Sequence, residues 1–190
     1  MKALAVALVI SVPAIASADN QFFDRSGRLA MGFSLGAGAM RSDGGITNCD
    51  NCAAEPTSIE LDGHIGGYIG SRLALLLEGQ VNAQTVNSDR DNGDTILSQG
   101  VALVAAQYWI TPQLWIKGGI GLAQLQYDNQ YADQPYDIAS GTAIMGAAGY
   151  EIFSSPRFAV DLQVRGISGS YEGMSEHVSG GNIGLGFNWY

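Results

Sequence analysis

The chain has 190 residues, 46% of them hydrophobic and only 14% charged, with 26 glycines and a formal net charge of −9. A water-soluble domain usually carries about a quarter charged residues, and the acidic balance argues against a nucleic-acid partner. Past the N-terminus no apolar run approaches the ~18 residues of a transmembrane helix, and the glycines follow no collagen period, so the low charge points to strands that face lipid.

Residues 1–18 read as a secretory signal peptide. Lys2 gives a positive start, Ala3 to Ile10 an apolar stretch, Ser11 to Ala14 a break, and Ala16-Ser17-Ala18 a small-x-small cleavage pattern. Asp19 is then the first mature residue. Residues 19–27 form a short N-terminal segment, and residues 28–190 suffice for one domain.

From Arg28 onward the pattern alternates with period two, the mark of strands. In Arg28 to Arg41, Leu29, Met31, Phe33, Leu35, Ala37 and Ala39 oppose Ala30, Gly32, Ser34, Gly36 and Gly38. Thr57 to Gly70 sets Ile59, Leu61, Ile65 and Ile69 against Glu60, Asp62, His64 and Tyr68. Leu73 to Thr85 sets Leu73, Leu75, Leu77 and Val81 against Glu78, Gln80, Asn82 and Gln84. Thr95 to Ile110 is apolar on both faces near Val101 to Ala106. Leu114 to Gln124 opposes Ile116, Ile120 and Leu122 to Lys117, Gly119 and Gly121. In Gly141 to Phe153, Glu151 fixes the inward face, and Phe158 to Gly166 sets Val160, Leu162 and Val164 against Asp161, Gln163 and Arg165. The last strand is Val178 to Tyr190.

Short connections at Gly70-Ser71-Arg72, Thr111-Pro112-Gln113 and Ser154 to Arg157 alternate with long polar ones at Ser42 to Pro56, Asn87 to Asp94, Asp128 to Ile138 and Gly166 to His177. That asymmetry is expected of an outer-membrane barrel. Tyr68, Tyr108 and Tyr150 precede the short turns at near-equal spacing, so the repeat is strand, long loop, strand, short turn; four repeats give eight strands. Trp109, Trp115, Tyr150, Phe153, Phe158, Trp189 and Tyr190 gather at the short-turn end, as an interfacial girdle would. The fold class is therefore all-β: an eight-stranded, antiparallel, up-and-down transmembrane β-barrel.

The closing residues Asn182-x-Gly184-x-x-Phe187-x-Trp189-Tyr190 fit a polar-x-Gly-x-x-apolar-x-apolar pattern. With the Gly-rich first strand Met31 to Gly38, this resembles the small eight-stranded barrels of the OmpA-like transmembrane domain and OmpX-like proteins of Gram-negative bacteria, over about residues 28–190. The resemblance implies an outer-membrane location among lipid and lipopolysaccharide, a monomeric barrel, and passage by periplasmic chaperones to an assembly machinery that reads the terminal strand. It implies no cofactor and leaves the extracellular partner unknown.

The alternation turns Glu60, Asp62, His64, Glu78, Lys117, Glu151, Asp161 and Arg165 inward, since a Lys or Arg facing lipid near the midplane costs roughly 2–4 kcal/mol. Lys117 and Arg165 are expected to be shared among Glu78, Glu151 and Asp161, giving a polar plug; the carboxylate excess leaves a narrow cation-favouring pore as the alternative.

Cys49 and Cys52, the only cysteines, lie in the first long loop. An oxidising compartment makes a disulfide the default. A metal site would need ligands beyond Asp43, Asp50 and Glu55, weak company for thiolates, and free or redox-active thiols remain the third option. His177-x-Ser179 resembles part of the serine–histidine arrangement of lipid A deacylases, but Glu176 points away and the acid role is unfilled, so no enzyme is expected. Asp89-x-Asp91-Asn92-Gly93-Asp94 lacks the downstream Glu of a calcium loop and reads as a turn, while Asp133, Tyr131, Tyr136 and Tyr171 enrich the outer loops. Structural anchoring with loop display comes first as a function, and a small passive pore for ions or small solutes second.

Overall fold

The computed structural model describes residues 22–49, 52, 56–89, 93–129, 136–174 and 177–190. The segment 1–18 expected to be a signal peptide, Asp19, and Asp50, Glu55, Asp91, Asn92, Tyr131, Asp133 and Glu176, expected in the outer connections, lie outside them. Eight strands follow one another: β1 (Leu29–Ser42), β2 (Ser58–Tyr68), β3 (Leu73–Asp89), β4 (Gly93–Trp109), β5 (Leu114–Asn129), β6 (Tyr136–Ser154), β7 (Phe158–Tyr171) and β8 (His177–Trp189). Each pairs antiparallel with the next, and β1 closes on β8, Phe33 standing opposite Phe187. Closure leaves no unpaired edge.

At the inner end, defined by the short turns, Ile69 N–H donates to Leu73 O (2.9 Å), Ile110 N–H to Leu114 O (2.8 Å) and Ser155 N–H to Phe158 O (2.9 Å). Above these turns runs an apolar belt. Leu122 is 69% exposed, Ile59 66%, and Leu77, Ile120, Ile144 and Ile183 are similar. No Asp, Glu, Lys or Arg among the described residues faces outward along this belt. A wall of this kind is stable against hydrocarbon and not against water.

Towards the outer end the alternation inverts. Met40, Val86, Leu97, Leu125, Ile167 and Val178 are buried inside, while Ser98, Gln124, Ser140, Thr142, Ser168 and Ser170 face out. This inversion corrects the expected loops. Much of Asn87 to Asp94 and Gly166 to His177 is strand: β3 runs to Asp89 through a bulge between Thr85 and Asn87, β4 begins at Gly93, and β7 continues to Tyr171. Likewise β5 extends to Asn129 and β6 starts at Tyr136. The polar residues that resemble loop are the outward positions of strands that have left the apolar belt. As a result β3 to β6 have 17, 17, 16 and 19 residues, against 14, 11, 14 and 13 for β1, β2, β7 and β8.

The aromatic girdle is also corrected. Tyr150, Phe153, Phe158 and Trp189 face outward, joined by Tyr108, but Trp109 and Trp115 are buried in the interior and Tyr190 is half-buried there. Their strand parity is opposite to that of the lipid-facing positions, so proximity to the short turns did not decide their direction. Trp115 fits because Gly149 on β6 lies against its ring; a Cβ there would collide with it.

Candidate functional site

The barrel interior holds three stacked layers. In the middle one, β2 contributes Glu60, Asp62 and His64, β3 Glu78, β5 Lys117 and β7 Arg165, each from an inward position. Lys117 Nζ donates to Glu78 Oε2 at 2.8 Å. The Arg165 guanidinium reaches Glu78 Oε1 at 2.6 Å, Asp62 Oδ2 at 2.8 Å and Glu60 Oε1 at 3.2 Å. The last two are ion pairs whose alignment falls short of a hydrogen bond. His64 Nδ1 lies 3.4 Å from Asp62 Oδ1, and Ser34 donates to the same oxygen at 3.3 Å. On β1, Gly32 and Gly36 leave the room that His64 and Glu60 occupy.

The expected sharing of Lys117 and Arg165 is corrected in part. Both meet on Glu78, but Glu151 and Asp161 lie elsewhere. Asp161 Oδ2 accepts from Asn188 Nδ2 at 2.7 Å. Lys117 stands opposite Ala147 on β6, well up the strand from Glu151, which places the two in different layers.

Glu151 anchors the inner layer, and its cation is Arg25, which the alternation could not find because it precedes β1. Arg25 is 3% exposed and Glu151 0%. The guanidinium donates to both Glu151 oxygens at 3.1 Å, and to Tyr68 Oη and Ser154 Oγ at 3.3 Å. Glu151 also accepts from Trp109 Nε1 (2.8 Å), Tyr190 Oη (3.1 Å) and Ser154 Oγ. Burial works against the Arg25 charge, yet the Glu151 carboxylate outweighs it and holds the guanidinium above its ordinary range. Burial, reinforced by the negative Glu151, pushes the Tyr190 phenol well above its usual value, so it remains a donor. One sequence signal pointed to such a residue: five inward carboxylates faced only Lys117 and Arg165.

Among the described residues the inward side chains of the outer layer are uncharged. Asn182 Nδ2 donates to Asn82 Oδ1 (2.9 Å) and Ser58 Oγ to Asn182 Oδ1 (3.1 Å). Gln84 is clamped by Met40 N–H (2.7 Å) and Thr47 O (2.8 Å), and Gln99 Nε2 donates to Tyr171 Oη (2.7 Å). Leu97, Leu125 and Val178, all fully buried, pack around these amides.

Elsewhere, Cys49 and Cys52 are joined as a disulfide in the first outer loop, with Cα atoms 5.7 Å apart. Of the terminal pattern, Asn182 and Gly184 point inward; Phe187 faces out and stacks on Phe33 (5.1 Å), and Trp189 faces out against Phe158 (5.2 Å). His177 Nδ1 meets Ser170 Oγ at 2.9 Å and not Ser179, whose Oγ donates to Ser168 at 3.2 Å. Asp62, His64 and Glu78 present ligand-type atoms within 4.8 Å of one another, but a metal ion there would have to displace Arg165 and Lys117 from the carboxylates.

No protein-family model matches the chain, and no curated protein matches it in sequence. Solved structures do. Ail, the attachment invasion locus protein of Yersinia pestis, superposes with a TM-score of 0.50 at 14% identity, covering 86% of this chain and 99% of Ail. Neisserial surface protein A gives 0.53 at 13% identity, covering 85% of this chain and 95% of that one. With its closed eight-stranded topology and apolar belt, the chain has the fold of the small outer-membrane β-barrels.

Proposed function

We propose that the protein is a non-conducting outer-membrane anchor whose work is done by the loops and strand ends it displays at the cell surface. The observation that carries this reading is the filled interior. Arg25 and the aromatic rings occupy the inner end, the Glu78–Lys117–Arg165 network the middle, and apolar side chains with clamped amides the outer end. An eight-stranded barrel has an interior that side chains can fill, and paired buried charges are costly to separate. The apolar belt suits outer-membrane lipid, and the polar collar above it suits the headgroup level of lipopolysaccharide. Asn182, Gly184, Phe187, Trp189 and Tyr190 serve, in this reading, as the signal for the assembly machinery after chaperone escort, and the folded barrel is a monomer. Ail is named for attachment and invasion, and attachment through the outer loops is the use we assign here.

The test is electrical. Purified protein refolded into planar bilayers should give no steady conductance steps at neutral pH. Steady, cation-selective steps would overturn the plugged reading and favour a small pore, consistent with the carboxylate excess in the interior.

A further inference from the structure

The inner end of the barrel is built like a receptor for a planar cation. Tyr68 from β2, Trp109 from β4, Glu151 and Ser154 from β6, and Tyr190 after β8 converge on one point. They also contact one another directly, through bonds and ring contacts that do not involve Arg25: Tyr68 lies 5.2 Å from Trp109 and meets Tyr190 edge-on at 5.6 Å, while Trp109 and Tyr190 donate to Glu151. The carboxylate and aromatic faces together match a guanidinium, which is planar, bidentate and stacks on rings. The occupant comes from outside the barrel wall. The Arg25 Cζ sits 3.8 Å from the Tyr190 centroid and 5.4 Å from that of Trp109. Its flanks cross the inner mouth: Phe22 lies under Arg72 (3.8 Å), Gly27 N–H donates to Tyr68 O (3.2 Å) and Arg28 to Pro156 O (2.9 Å).

We infer that the barrel carries a preformed guanidinium-binding cage, filled in cis by Arg25, so that residues 22–28 act as a strap that docks onto a finished barrel and can be displaced from it. The cage needs three strands and the chain end in place, whereas the strap is local, so docking follows closure. This inference is independent of whether the lumen conducts, because the middle layer lies beyond the cage.

Chemical rescue tests it. Arg25→Ala protein, refolded in micelles, is titrated with ethylguanidinium, with ethylammonium as control, while the Trp109 indole N–H resonance is followed. The expected result is a saturable shift with ethylguanidinium, binding of ethylammonium at least about tenfold weaker, and no saturable shift in Arg25→Ala/Glu151→Gln. A folded Arg25→Ala barrel that shows no saturable shift, or equal affinity for both cations, overturns the cage. Should Arg25→Ala fail to fold, Arg25→Lys is read by amide exchange. Gly27 should then exchange about tenfold faster than in the native chain while Leu77 is unchanged, and unchanged or uniformly faster exchange overturns the strap.

Discussion

Glu78 touches both Lys117 and Arg165, and Arg165 touches three carboxylates, so the two ends of this contact are not equivalent. Removing Arg165 leaves Glu60, Asp62 and Glu78 with Lys117 as the one lysine or arginine paired to them among the described residues. Arg165→Ala should therefore cost about 3–5 kcal/mol, the range for breaking a buried pair, and more than Glu78→Gln, when urea unfolding is followed in lipid vesicles. A different residue-scale constraint acts at Gly149, where a side chain would meet the Trp115 ring. Gly149→Val should destabilise by about 1–3 kcal/mol through overpacking, and Trp115→Leu in the same chain should recover part of that loss. Much of the interior was legible in sequence because charge and parity agree on β2, β3, β5 and β7. Arg25 was not, since no period governs a residue ahead of the first strand; only the unbalanced carboxylates implied it.

Strand parity worked wherever one face was greasy and the other polar, which is the condition inside the apolar belt. It failed at two kinds of place. On β4, Val101, Leu103 and Ala105 are apolar and inward, so neither face stood out. At the outer ends of β3 to β7 the greasy face turns inward and the polar one outward, and the sequence there resembles loop. The cause is a change of solvent along one strand, from hydrocarbon to water, which a single pattern cannot register. The boundary can be mapped by substitution. Leu77→Arg and Ile120→Arg, in the belt, should each cost about 2–4 kcal/mol, while Ser140→Arg and Thr142→Arg, in the collar, should cost about 0–1 kcal/mol. Equal penalties at both heights would place the collar in the hydrocarbon.

For the molecule as a whole, closure of β1 on β8 makes stability a property of the ring of strands and leaves little for the loops to add. The Cys49–Cys52 bridge closes a very small loop, and a bridge of that span constrains the unfolded chain weakly. Cys49→Ser/Cys52→Ser should keep the unfolding midpoint within the error of the native chain, and its effect, if the loop binds a surface partner, should fall on that binding. The closed barrel itself was readable from the alternating segments together with the repeat of strand, long connection, strand and short turn, which gave eight strands. The loop-length asymmetry that supported it proved smaller than the sequence suggested, because strand extensions absorb much of the long connections.

Those extensions are unequal, and the inequality has a consequence for anything that approaches from outside. Strands β3 to β6 have 16–19 residues against 11–14 for β1, β2, β7 and β8, and the two longer hairpins, β3–β4 and β5–β6, are neighbours in the wall. A bulky visitor such as an antibody should therefore reach the long-stranded half first. Epitopes grafted between β3 and β4 or between β5 and β6 should be bound by such a visitor on intact cells more readily than the same graft between β7 and β8.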